Sequence, residues 1–138
     1  MSATATTPDA TTAVAELIRY LETGVAPEGL FADNAFLDFS APQWRLQAGD
    51  REGTLAIRRN GHPWPGKVHV TRVEPTSRGF TMEVEERWDD AGQHWYCREM
   101  IRADVDGATI TDMAVYCTGD WDELQQQRHA AQVRLLRP

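Results

Sequence analysis

Helical spacing of apolar residues marks the beginning of the chain. Within residues 11–23, Val14, Leu17, Ile18 and Leu21 recur at intervals of three and four, which predicts an amphipathic helix. Gly24 follows in the position of a left-handed C-cap and ends it. A short second helical turn is predicted over residues 27–31, and a third helix over residues 50–60.

β-type alternation dominates the middle of the chain. Residues 35–39 predict a first strand, and residues 67–74, 79–88 and 94–105 predict three more. Asp106 and Gly107 form a hairpin signal before a last strand over residues 108–117. Residues 40–47, which contain Pro42 and Trp44, are predicted to be a loop, and residues 61–66 break the pattern. Helices first and strands afterwards favour an α+β fold, with helices on one face of a curved sheet.

A final helix is predicted after the last strand. Asp120 and Glu123 have the spacing of a capping box, with Asp120 as the N-cap. The length of 138 residues fits one domain, which we place at residues 12–138 behind a disordered tail at residues 1–11.

Charge and composition exclude several classes of function. The net charge of −7 disfavours nucleic-acid binding, because a phosphate backbone requires a basic surface. The sequence has no long apolar run and no signal-peptide pattern, so a cytoplasmic protein without membrane partners is expected. The four histidines lack metal-ligand spacing, and no nucleotide-binding or serine-nucleophile motif occurs. No metal or cofactor is therefore expected.

Glu86 is a polar misfit on an apolar strand face. By a period of two, it shares that face with Phe80, Met82, Val84 and Trp88. A carboxylate among apolar side chains indicates a functional residue. The alternative is that the strand has already reached solvent at this point.

Several segments resemble ketosteroid isomerase and its relatives in the nuclear transport factor 2-like superfamily, including polyketide cyclases of the SnoaL type. The segments are the pair Arg19 and Tyr20, the run 30–35 (LFADNA), the run 53–58 (GTLAIR), and the hairpin at 106–107 with Ile110 and residues 114–116. They cover most of residues 12–117. The resemblance implies a cone-shaped α+β fold in which three N-terminal helices pack on a strongly curved mixed sheet around a pocket. It also implies a dimer formed through the outer sheet face.

The resemblance also implies three catalytic residues. Tyr20 matches the tyrosine that donates a hydrogen bond to the substrate oxyanion, and Glu99 stands where the isomerase has an aspartic acid kept neutral by its apolar site. Asp38 is the candidate base, although strict alignment would place the base at Phe39, and a shift of one residue reverses the face of a strand side chain. Each of the three has a structural alternative as a packing or solvated side chain.

Further residues are expected to line the pocket. They are Trp44, Met82, Val84, Glu86, Trp88, Trp95, Cys97, Met113 and Cys117. Cys97 and Cys117 lie almost symmetrically about Gly107, so they are predicted to be neighbouring free thiols.

The sequence therefore favours cofactor-independent acid–base catalysis on a small apolar ketone, polyketide-like or terpenoid molecule: an isomerase, cyclase or dehydratase in a biosynthetic role. A first alternative is an epoxide hydrolase or ether-forming cyclase, which requires a buried carboxylate pair. A second is a non-catalytic binding or assembly module, which predicts a cone filled by its own side chains.

Overall fold

A computed structural model describes residues 8–138 as three helices and six strands. In chain order they are α1 (Pro8–Thr23), β1 (Phe31–Ala41), β2 (Trp44–Ala48), α2 (Arg51–Gly61), β3 (Gly66–Pro75), β4 (Gly79–Asp90), β5 (Gln93–Asp106), β6 (Thr109–Cys117) and α3 (Glu123–Gln132). The predicted α+β class is confirmed. No helix among these residues has the length and apolar character needed to cross a membrane.

The six strands form one open mixed sheet in the order β2-β1-β6-β5-β4-β3. Strands β3 to β6 pair as an antiparallel meander, in which β4 and β5 are in continuous register from Gly79 opposite Asp104 to Asp90 opposite Gln93. β1 instead runs parallel to β6, with Leu37 opposite Met113. The long connection from β1 to β6 makes this parallel pairing possible, since adjacent parallel strands need a crossover.

The core lies between α1 and one face of the sheet. Leu17 from α1 and Phe80, Ile101 and Ile110 from three different strands are at most 1% exposed. Burying each such side chain contributes about 1.5–3 kcal/mol. Tyr20 is also buried, and its ring meets the edge of Phe31 at a centroid distance of 5.6 Å.

Helix α2 has clear ends. The Asp50 side chain caps its first turn by accepting a hydrogen bond from the Gly53 amide at 2.7 Å. At the other end, the His62 amide donates to the Arg58 carbonyl. This helix carries Arg58 toward the sheet.

Four features differ from the sequence-based predictions. Residues 27–30 form a turn, closed by a hydrogen bond from the Leu30 amide to the Pro27 carbonyl, and Phe31 already belongs to β1, so only two helices precede the meander. Residues 44–48 are a strand, because Pro42 sits in a tight turn where its missing N–H costs no ladder hydrogen bond. α3 is capped by Asp122, which accepts from the Gln125 amide, and not by Asp120. α1 begins at Pro8, and the rest of the predicted tail, residues 1–7, lies outside the described residues.

Candidate active site

A cavity of about 530 Å³ opens between the helices and the inner face of the sheet. Most of its surface is apolar, contributed by α1, α2 and alternate residues of the strands. The apolar wall includes Leu17, Leu37, Phe39, Ile57, Ile101 and Val115. The volume lies in the range of small-molecule binding sites. The fold therefore leaves room for a ligand.

A buried ion pair stands in the cavity wall. Arg58 grips Glu86 with two hydrogen bonds, from Nη2 to Oε1 at 2.6 Å and from Nη1 to Oε2 at 3.0 Å. The two side chains are 14% and 3% exposed. Arg58 also donates to the Leu21 carbonyl, which ties α2 to α1. Burial opposes ionisation of Glu86, but hydrogen bonds from Glu99 and Arg58 lower its pKa to about 2. Glu86 is therefore a fixed carboxylate.

Glu99 is the second carboxyl group of the site. In the β4–β5 register Glu86 faces Cys97, so Glu99 is its diagonal neighbour on the same sheet face. Glu99 is 7% exposed, and its Oε1 has no hydrogen-bond partner among the described residues. Burial raises its pKa well above the usual range, and the charge of Glu86 and the hydrogen bond to it act in the same direction. The surroundings of Glu99 therefore favour its neutral, protonated form.

Two further neutral groups line the cavity. Burial raises the pKa of Tyr20 to about 12, so its hydroxyl keeps its proton, and within residues 8–138 that hydroxyl makes no hydrogen bond. Burial, aided by the charge of Arg58, lowers the pKa of His62 to about 4. The site thus offers neutral hydrogen-bonding groups beside one fixed carboxylate.

The two thiols lie next to Glu99. The sulfur atoms of Cys97 and Cys117 and a carboxylate oxygen of Glu99 are all within 4.8 Å of one another. Both cysteines are free. A hydrogen bond between the thiols raises the pKa of Cys97 and lowers that of Cys117. A cation bound here would have to displace the protons of the two thiols, and the raised pKa values of Cys97 and Glu99 oppose that loss. We therefore treat the group as part of an acid site.

The structure brings seven of the predicted site residues to the cavity. They are Tyr20, Trp44, Glu86, Cys97, Glu99, Met113 and Cys117. Five others lie elsewhere: Asp38, Met82, Val84, Trp88 and Trp95. Two cavity residues with charged side chains, Arg58 and Asp120, were not proposed from the sequence. The only sequence signal for Arg58 was its place as the charged last residue of the segment 53–58, which resembles the isomerase family.

Asp38 faces away from the cavity. Its neighbours Leu37 and Phe39 contribute to the lining, and Asp38 instead binds Arg45 of the adjacent strand at 3.0 and 2.8 Å. That hydrogen-bonded pair lowers the pKa of Asp38. The strand has no bulge between residues 36 and 40 that would turn Asp38 inward. The prediction that Asp38 is a base inside the pocket is therefore corrected: its side chain lies on the outer face of the sheet.

The other four residues belong to packing clusters. Met82 and Val84 are at most 2% exposed and sit in the core beneath α1. Trp88 and Trp95 are cross-strand partners whose nearly parallel rings have centroids 6.5 Å apart, and the Trp95 indole donates to the Asp90 carbonyl. These tryptophans form an aromatic cluster outside the cavity.

Comparisons with solved structures identify the fold. No family model matches the sequence, and no curated protein matches it. Among solved structures, a ketosteroid isomerase-like fold protein from Catenulispora acidiphila superposes with a TM-score of 0.64 at 16% identity, over 82% of this chain and 88% of that one. The chain has the fold of nuclear transport factor 2-like and ketosteroid isomerase-like proteins, as the sequence motifs indicated.

Two other similar structures are described as enzymes. An LEH-like epoxide hydrolase of Mycobacterium tuberculosis is 18% identical, with a TM-score of 0.61 over 80% of this chain and 84% of that one. SalBIII, an epoxide hydrolase/cyclase-like enzyme of pyran ring formation in polyether salinomycin, is 13% identical, with a TM-score of 0.66 over 81% and 95%. At these identities the likeness establishes the fold, and the activity has to be argued from the site.

Proposed function

We propose that this protein is a cofactor-independent acid–base enzyme that opens an epoxide in a small apolar molecule by attack of an oxygen nucleophile. The observation that carries the proposal is the buried pair of carboxyl groups, protonated Glu99 beside ionised Glu86, in the wall of an open cavity. Two carboxyl groups whose surroundings push their pKa values apart indicate an acid and its counterpart.

Glu99 is suited to be the general acid. It holds a proton at neutral pH in an apolar wall, and the epoxide oxygen becomes basic as its C–O bond breaks. When Glu99 gives up that proton, it becomes a second negative charge next to Glu86. Arg58 moderates the repulsion by remaining bound to Glu86, and the repulsion favours return of a proton to Glu99. The pair therefore regenerates the acid after each turnover.

Tyr20 supports the same step as a hydrogen-bond donor. Tyr20 lines the cavity, and its hydroxyl is neutral and has no hydrogen-bond partner in the described chain. A fixed donor of this kind stabilises negative charge on a leaving oxygen without reorganisation. The apolar wall limits competition from water and selects a substrate that is mainly hydrocarbon.

The placement of Asp38 separates this proposal from the isomerase hypothesis. The isomerase hypothesis assigned proton removal to Asp38, which faces outward, and the position that strict alignment gives for that base is Phe39, an apolar lining residue. The non-catalytic hypothesis required a filled cone, which a cavity of about 530 Å³ does not match. The buried carboxyl pair is the arrangement that epoxide opening requires, and two similarly folded proteins carry epoxide hydrolase descriptions.

A panel of epoxides tests the proposal. Purified protein is incubated in ¹⁸O-labelled water with cyclic and open-chain epoxides, some carrying an internal hydroxyl. We expect a labelled diol where water attacks, or an unlabelled cyclic ether where the internal hydroxyl attacks. Glu99→Gln should lower the rate about 10²–10⁴-fold, the usual contribution of a general acid. The matched control Asp38→Asn, which alters a carboxylate on the outer sheet face, should retain full activity. Turnover of the panel at the uncatalysed rate, or full activity in Glu99→Gln, would overturn the proposal.

A further inference from the structure

The segment that follows β6 is fixed against the beginning of β5. The Thr118 amide donates to the Arg98 carbonyl at 3.0 Å, and the Arg98 amide donates to the Thr118 hydroxyl at 3.0 Å. Three residues later, Trp121 and Tyr96 exchange two backbone hydrogen bonds at 2.7 and 3.1 Å. Residues 118–121, which we call the bulge segment, are therefore held at both ends.

The number of residues between these two anchor points differs between β5 and the bulge segment. On β5 one residue, Cys97, separates the bonded positions, whereas on the other side two residues, Gly119 and Asp120, separate them. Two residues opposite one define a β-bulge, and a bulge re-aims the side chains that follow it. Gly119 has the positive φ of +83° found in the first position of one bulge type.

The bulge decides which way Asp120 points. Met113, Val115 and Cys117 line the cavity at alternate positions, so regular pairing would turn residue 119 inward and residue 120 outward. With the extra residue, Asp120 joins Gly119 in the cavity lining, at its rim. Gly119 also packs on the β1–β2 turn, where an added Cβ would lie 3.1 Å from a ring carbon of Pro42.

Asp120 is a free acceptor in a charged setting. Its side chain makes no hydrogen bond among the described residues, in contrast to Glu86, whose two oxygens are both held by Arg58. The charged groups that act on it are Glu86 from β4 and Arg58 from α2. Partial burial and the charge of Glu86 raise its pKa, which improves it as a base, and its exposed position allows exchange of a proton with water.

We propose that Asp120 is the general base of this site, delivered to the cavity rim by the bulge at Gly119. This inference rests on the proposed epoxide opening. The nucleophile, water or a substrate hydroxyl, forms a new C–O bond as it gives its proton to Asp120. The epoxide C–O bond breaks, its electron pair stays on oxygen, and that oxygen takes the proton of Glu99. Water then carries a proton from Asp120 back to Glu99, so that no other reactant is consumed.

The test compares Asp120→Asn with its near neighbour Asp122→Asn. Asn at position 122 keeps a side-chain acceptor for the α3 cap, so this control should be fully active. Asp120→Asn should lower kcat about 10²–10⁴-fold with KM nearly unchanged. The low-pH limb of the kcat profile, which reports protonation of the base, should disappear with it, and Asp120→Glu should restore part of the rate.

The outcomes separate this inference from the proposal beneath it. Full activity in Asp120→Asn together with loss in Glu99→Gln would overturn the base assignment and leave the epoxide chemistry standing. A low-pH limb that persists in Asp120→Asn would overturn the base assignment as well. If the parent protein opened no epoxide, both proposals would fall together. A diol product titrated into Asp120→Asn should still bind as it does to the parent, which distinguishes lost chemistry from a lost cavity.

Discussion

Replacing Arg58 with methionine isolates the energetic role of the buried ion pair. Methionine keeps most of the length and apolar stem of Arg58, but it removes both hydrogen bonds to Glu86 and the one to the Leu21 carbonyl. Glu86, only 3% exposed, is left as a buried charge without its partner. Breaking a buried pair in this way destabilises a protein by about 3–5 kcal/mol.

The pKa of Glu86 gives a magnitude of the same order. Lowering it from 4.5 to about 2 corresponds to roughly 3 kcal/mol, at about 1.4 kcal/mol for each pH unit. For a chain of this length we expect the melting temperature of Arg58→Met to fall by roughly 10–15 °C. The adjacent Arg59 is exposed, so Arg59→Met is the matched control and should change stability by less than about 0.5 kcal/mol.

Urea unfolding followed by tryptophan fluorescence measures both variants as a function of pH. A carboxyl group with a lowered pKa in the folded state stabilises the protein above its unfolded pKa, and the contribution disappears as the pH falls through the folded value. The stability gap between parent and Arg58→Met should therefore be largest above pH 5 and narrow toward pH 2. The double variant Arg58→Met with Glu86→Leu should recover most of the loss, because an apolar pair replaces the charges. A gap below 1 kcal/mol, or one that is constant with pH, would refute the reasoning.

Three further predictions follow from the cavity. Because the pKa of Glu99 is raised in the folded state, its contribution to stability is complete below its unfolded pKa and is lost as the pH rises. Glu99→Gln should thus gain stability relative to the parent from about pH 5 upward. A stability difference that does not change with pH would contradict a raised pKa. Tyr20→Phe should leave the unfolding free energy within about 0.5 kcal/mol of the parent but slow epoxide opening by about 10²-fold, as loss of one oxyanion donor does. A loss of unfolding free energy large enough to account for the slower rate would instead indicate a packing role. Treatment with a strong chelator should leave the rate unchanged, since side chains supply both acid and base, and activity that falls on chelation and returns with Zn²⁺ would assign the Cys97–Glu99–Cys117 group to a metal.

Local sequence signals predicted most of the sheet and one side of the site. The strands of the meander could be predicted because alternation and the Asp106–Gly107 turn are local properties of the sequence. Glu86 could be predicted as a site residue because it is a carboxylate on an apolar strand face. Its partner Arg58 was not, because the two are 28 residues apart and only the packing of α2 on the sheet brings them together.

The residues that the sequence misplaced depend on register. Asp38 has its side chain on the outer face because β1 pairs with β6 without a bulge between residues 36 and 40. Asp120 lines the cavity because the bulge at Gly119 adds one residue to this strand edge and interrupts its regular alternation. The sequence shows that Asp38 lies in the first strand and that Asp120 follows the last one, but it does not show which face either side chain takes. A shift of a single residue in pairing decides the face, and such a shift is set by tertiary contacts.

The protonation state of Glu99 is the central claim, and carbon-13 NMR of side-chain carboxyl groups measures it directly. A pH titration of protein labelled at the glutamate side-chain carboxyl follows each group separately, and Glu99→Gln and Glu86→Gln assign the two signals. The account predicts that the Glu99 signal remains that of a protonated acid through pH 7, while the Glu86 signal remains that of a carboxylate down to about pH 3. Ionisation of Glu99 at or below pH 5 would contradict it, because the cavity would then hold two carboxylates and no general acid.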